Sequence, residues 1–197
     1  MTERRGGPIV AADALAGALA LAGCSSGSHG VTAAATTTVR KGVPAADEAS
    51  LRAVVAPILG RLDDDVQRVE LQTNPTPDHH VLLSVYARPR TARSGDQYAA
   101  GAAPLARAVI PTLLARYPGV YGIDLCQEAL HPPANVDEPP PLTRVYVTRP
   151  KSASIDWARL DLAAIRRKAR GDDPAIQLYV DPSVAQSATF RAAEPAG

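Results

Sequence analysis

Cysteine is almost missing from this chain: two occur in 197 residues, Cys24 and Cys126, and neither stands in the short Cys and His spacings of a structural zinc site. Aromatic residues are few, 4% of the total with a single Trp, which argues against a cleft that stacks sugars. Neither acid nor base dominates. The formal net charge is +1, so no global field draws the protein to nucleic acid. After the first two dozen residues no apolar run approaches the twenty needed to cross a bilayer as a helix. Lysine occurs only at 41, 151 and 168 and completes no Ser-x-x-Lys pair, and residues 47–182 hold no Gly-x-Ser-x-Gly elbow.

What is present begins at the N-terminus. Arg4 and Arg5 precede an apolar stretch that Asp13 interrupts, and small residues lead up to a cysteine, the pattern of a secretory segment that is removed rather than folded. Leu21-Ala22-Gly23-Cys24 resembles the lipobox of a bacterial lipoprotein, a Leu and two small residues before the Cys. The resemblance covers only this N-terminal segment. It implies that residues 1–23 are a signal peptide and that Cys24 becomes the lipid-modified first residue. It further implies that the mature protein sits on the extracytoplasmic side of the cell membrane, its partner there being the bilayer through the lipid on Cys24. Several acyl chains would make that attachment effectively permanent. Removal of 1–23 takes away two charges of each sign and leaves the balance unchanged. Cys126 would then be alone, with no intrachain disulfide open to it.

Residues 24–46 are Ser, Gly, Thr and Ala with almost no large apolar group, a composition that predicts a flexible tether. Residues 47–182 form one domain, large enough for a single core, and 183–197 read as a disordered tail. Leu51, Val54, Val55, Ile58, Leu59 and Leu62 recur at helical spacing, with Asp47 or Ser50 as cap and Pro57 as a break or kink. Two alternating runs, Val69 to Thr73 and Val81 to Ala87, flank the turn Asn74-Pro75-Thr76-Pro77-Asp78 and predict a hairpin. A second helix comes next over 96–117, then a strand through Ile123 and Leu125, a proline-rich loop over 130–142, and a strand over 144–148. Asp156 caps a third helix that runs to about Arg170, and Ile176, Leu178 and Val180 alternate as a further short strand. The expected fold is therefore α+β, in the order helix, hairpin, helix, hairpin, helix, with a four-stranded antiparallel sheet carrying helices mainly on one face.

This frame leaves few candidate sites. A metal would draw on Asp78, His79, His80, Cys126 and His131, but adjacent histidines at a strand start point to opposite faces. A nucleophile would be Cys126 with His131 nearby in sequence, although a thiol within a strand is usually a small buried apolar group. The acidic runs Asp63-Asp64-Asp65 and Asp172-Asp173 fall between elements, where they serve turns and caps. Arg166, Arg167, Lys168 and Arg170 close a helix whose dipole they complement, or else they touch an anionic lipid or polymer. The outward sheet face would carry Arg68, His80, Tyr86, Arg88, Arg144 and Tyr146, residue types enriched at interfaces. No cofactor is implied. These readings favour a lipid-anchored, non-catalytic binding module of the cell envelope, docking an envelope protein or an anionic lipid or polymer. The alternatives are an envelope hydrolase with a loop-built site around Cys126 and His131, and a carrier with an apolar cavity between sheet and helices.

Overall fold

The computed structural model describes residues 47–73, 81–133, 136 and 139–194, all within one compact unit, Val39–Gly197. Cys24 with its lipobox, the tether, and Asp78, His79 and His80 lie outside the described residues.

Helix α1 (Glu48–Gly60) begins at a reciprocal cap: the Asp47 side chain accepts from Ser50 N at 2.8 Å, and Ser50 Oγ accepts from Asp47 N at 3.3 Å. Its buried residues, Leu51, Val55, Ile58 and Leu59, keep to the 3.6-residue period, and Pro57 lies exposed inside the helix without ending it. Strands β1 (Asp64–Thr73) and β2 (Val81–Pro89) pair antiparallel. Helix α2 (Gly95–Arg116), capped by Ser94 and Gln97, then leads to β3 (Val120–Gln127), β4 (Thr143–Thr148) and, after three further helical segments, β5 (Gln177–Val180).

The sheet corrects the expected architecture. It has five strands in the order β1-β2-β3-β4-β5, not four, and β2 and β3 run parallel, so the sheet is mixed rather than wholly antiparallel. The physical reason lies between those two strands. Parallel neighbours need a crossover of a dozen or more residues, and the 22 residues of α2 carry the chain back to the end of the sheet where β2 started. The fifth strand pairs antiparallel with the outer side of β4.

Two further expectations change. The third helix divides: Asp156 caps only a 3-10 turn at Trp157–Arg159, and Asp161, accepting from Ala164 N at 2.7 Å, starts a new helix, α4 (Leu162–Lys168). A short α3 (Arg149–Ser152) precedes both. The residues read as a disordered tail hold α5 (Pro182–Ala185) and α6 (Ala188–Ala192). Val184 is fully buried with Tyr98, Ala99 and Ala102 of α2, and Thr189 N donates to Asp96 Oδ1 at 2.7 Å, so the end of the chain clasps the first turns of α2. Among the described residues six α-helices are formed.

By length and composition α2 could cross a bilayer, but its apolar residues are consumed by the core. Leu105, Val109, Ile110 and Leu113 join Leu51, Val55 and Leu59 of α1 and Ile165 of α4 against Leu83, Val85, Ile123, Leu125, Val145 and Val147 of the sheet. Each such side chain removed from water contributes roughly 1.5–3 kcal/mol. Leu83, Val85, Ile123, Val109, Ile110 and Leu113 are fully buried where the helices meet the sheet. With one sheet face committed to helices, the other carries, among the described residues, its own side chains and the edge of the proline-rich loop.

Candidate functional site

Side chains of a strand alternate between faces, so one extra residue reverses the parity of every later position in it. Gln67 is that residue in β1: Val66 pairs with Ala87 and Arg68 already pairs with Tyr86. Val66 packs on the core, and in a regular strand Arg68 would share its side. The bulge instead sets Arg68 and Glu70 on the outer face with Tyr86 and Ser84. Arg52 of α1 braces it, donating to the carbonyl oxygens of Val66 at 2.8 Å and Gln67 at 3.3 Å.

Register completes the face. Tyr86 lies beside Cys126, Cys126 beside Arg144, Ser84 beside Asp124, and Asp124 beside Tyr146. Of the residues anticipated for a binding face, Arg68, Tyr86, Arg88, Arg144 and Tyr146 are brought together in this way, while His80 is outside the described residues. Tyr146 lies over Gly122, where an added methyl group would stand 2.9 Å from the tyrosine hydroxyl oxygen. Glycine there lets the ring rest on the sheet.

The arginines of this face are held by carboxylates that sequence reasoning left out. The Arg68 guanidinium stacks 3.8 Å from the Tyr86 ring centroid, and its Nε is 3.1 Å from Glu70 Oε1. Tyr86 closes the triangle, its hydroxyl donating to Glu70 Oε2 at 3.2 Å. Arg144 forks onto Asp124, Nε to Oδ1 at 2.7 Å and Nη2 to Oδ2 at 2.5 Å, a bidentate pair that raises the Arg144 pKa. Arg88 Nη2 meets Glu128 Oε2 at 2.8 Å. Burial raises the pKa of Tyr86, helped by Cys126 and Glu70, and burial with Tyr121 and Asp124 raises that of Tyr146, so both phenols remain neutral donors. The signal for Asp124 was present in its position between Ile123 and Leu125. A carboxylate within a buried strand needs a cation; Tyr146 stands directly opposite Asp124, and Arg144, opposite Cys126, reaches it diagonally.

Between Arg68, Tyr86, Asp124 and Arg144 runs a groove of about 220 Å³, walled by Pro139, Pro140 and Pro141 of the proline-rich loop. Cys126 lies at its floor, 2% exposed. Burial, then the charge of Asp124, pushes the thiol up to about 12, so at neutral pH it is held as the unreactive thiol. His131 is exposed in the loop after β3 and does not line this groove. Among the described residues no three His, Cys, Asp or Glu side chains are grouped to hold a metal ion.

The remaining charge runs have structural roles. Asp64 is not in a turn as expected but opens β1, 2% exposed, with Arg93 Nη1 3.0 Å from its Oδ1. Asp65 pairs with Arg90 at 2.7 Å, and Asp63 adopts a left-handed φ of 59°, which aspartate tolerates better than most residues. In the basic cluster, Arg166 stacks 4.3 Å from the Phe190 ring centroid and donates to Phe190 O, Arg170 meets Glu194 at 3.4 Å, and Lys168 donates to Ser154 O at 2.8 Å. The Arg166 contacts fasten α6 to α4. No protein-family model, no curated protein and no solved structure matches the chain.

Proposed function

We propose that this chain is an exported, lipid-anchored domain that acts without catalytic machinery, as a docking module of the cell envelope whose outer sheet face receives a protein surface. The observation that carries this reading is the pairing of Arg68 with Glu70, Arg88 with Glu128 and Arg144 with Asp124 on a face that no helix covers among the described residues. Charge on that face cancels locally, so an anionic lipid or polymer gains little from it. Two tyrosines, three arginines and matching acceptors instead provide the mixed polar and aromatic contacts of a protein interface. The hydrolase alternative has less support, because a thiol held near 12 beneath its neighbours and a histidine outside the groove do not make an activated nucleophile. The anchor rests on the lipobox resemblance at Cys24.

Crosslinked pull-downs that compare the native protein with a Tyr86→Ala, Tyr146→Ala double variant test the docking face. Proteins recovered with the native chain should be missing from the variant, and recovery of the same set by both would reject the face. Cys24→Ser should move the protein from the membrane fraction to the soluble one. Continued membrane association would reject the anchor.

A further inference from the structure

On the helical side, α1 and α2 border a surface groove of about 690 Å³. Its floor is made by Val54, Ile58 and Ala108, and Arg61, Arg107 and Arg116 stand along it. Among the described residues none of these three arginines has a carboxylate within ion-pair distance, whereas Arg68, Arg88, Arg90, Arg93 and Arg144 each have one. Arg61 caps α1 and Arg116 lies in the last turn of α2, where a cation complements the helix dipole. Arg107 is in the interior of α2, where the dipole gives it no such role.

The spacing limits what can occupy the groove. Arg107 and Arg116 are nine residues apart, about 13.5 Å along the helix axis and half a turn out of phase around it, so their long side chains reach the groove from different sides of α2 rather than as one row. One phosphate or carboxylate does not engage both. A ligand that does must carry its negative groups two to three helical turns apart and offer apolar surface between them. The chain itself is a poor source. Residues 24–46, which lead into α1, contain Arg40 and Lys41 and no acid, so their charge has the wrong sign. A second copy is no better, because among the described residues α1 and α2 each have a single acidic residue, at the N-terminal turn, and α4 has none.

We propose that the α1–α2 groove is a second binding site, distinct from the sheet face, that takes an acidic amphipathic helix of a partner protein. Its apolar stripe rests on Val54, Ile58 and Ala108, and its carboxylates face Arg61, Arg107 and Arg116. The mode is that of a helix laid in a groove between two others, with charge selecting the partner.

The test uses the purified full chain and a fluorescent helical peptide of about 18 residues, with a leucine stripe flanked by glutamates. A second peptide has lysine in place of each glutamate. The acidic peptide should bind, the basic one should not, and added salt should weaken the complex. Arg107→Ala with Arg116→Ala should cost about tenfold in affinity, while lysine at both positions should retain most of it. Amide shifts of the native chain on peptide addition should map to α1 and α2, a readout that holds even if the double variant folds poorly. The Tyr86→Ala, Tyr146→Ala variant should bind the peptide normally, which separates this site from the sheet face. Absence of binding, equal binding by the double alanine variant, or shifts confined to the sheet face would overturn the proposal. So would a chain that ignores the peptide yet binds phosphatidylglycerol and not phosphatidylcholine vesicles through these arginines, which would assign the groove to lipid.

Discussion

On the outer sheet face Arg68, Arg88 and Arg144 each have a carboxylate to hold them, whereas Arg61, Arg107 and Arg116 in the α1–α2 groove have none among the described residues. The same residue type therefore does two kinds of work. A guanidinium that neutralises a buried acid is part of the fold, because its loss leaves a charge out of reach of water. A guanidinium without such an acid can be removed at little cost to the fold and is available to meet a ligand. Stability measurements should separate the two groups sharply.

The largest effect belongs to the most buried pair. Arg93→Met should strand Asp64 and lower stability by about 3–5 kcal/mol in urea unfolding, and a value near zero would show that water already satisfies the carboxylate. The pH dependence of that loss has a definite sign. Burial raises the Asp64 pKa above its unfolded value despite Arg93, and without Arg93 it should rise further. The penalty is therefore present above the folded pKa and is relieved as pH falls through it toward the unfolded value, so acidification should narrow the gap between variant and native protein.

A smaller loss, about 1–3 kcal/mol, is expected for Arg144→Ala, because Asp124 is only 6% exposed and Arg144 forks onto it. The double change Asp124→Asn, Arg144→Met should recover most of that loss, and failure to do so would mean that the two residues are not coupled. Smallest of all, Arg107→Ala and Arg116→Ala should each change stability by no more than about 0.5 kcal/mol. A loss above about 1 kcal/mol at either site would place it among the structural arginines and break the contrast.

How much of this was legible in the sequence depends on the range of the interaction. Local patterns were readable: Asp47 and Ser50 mark the start of α1, and Leu83 and Val85 face inward by simple alternation. Pairing beyond a turn was not. Nothing near Val120 says that β3 lies parallel to β2, because that depends on the path of α2 over the sheet. The acids that satisfy Arg88 and Arg144 had the same status, because the strand beside each arginine could not be read, whereas Glu70 follows Arg68 by two residues in β1 and shares its face by parity. The groove was still less visible, since Val54 and Ile58 belong to the stripe that also builds the core, and only the packing of α2 beside α1 leaves part of it open. Asp161 was hidden for a different reason: one continuous apolar period ran through it, and the second cap divided what looked like a single helix.

The bulge at Gln67 makes the outer face unusually tolerant of one kind of genetic change and intolerant of another. Loss of that single codon would restore an even ladder in β1 and leave Val66 inward and Arg68 outward, forfeiting little beyond one of the two carbonyl oxygens that Arg52 reaches. Gain or loss of one codon between Val69 and Thr73, where no slack residue exists, would exchange the wet and dry sides of everything downstream in that strand.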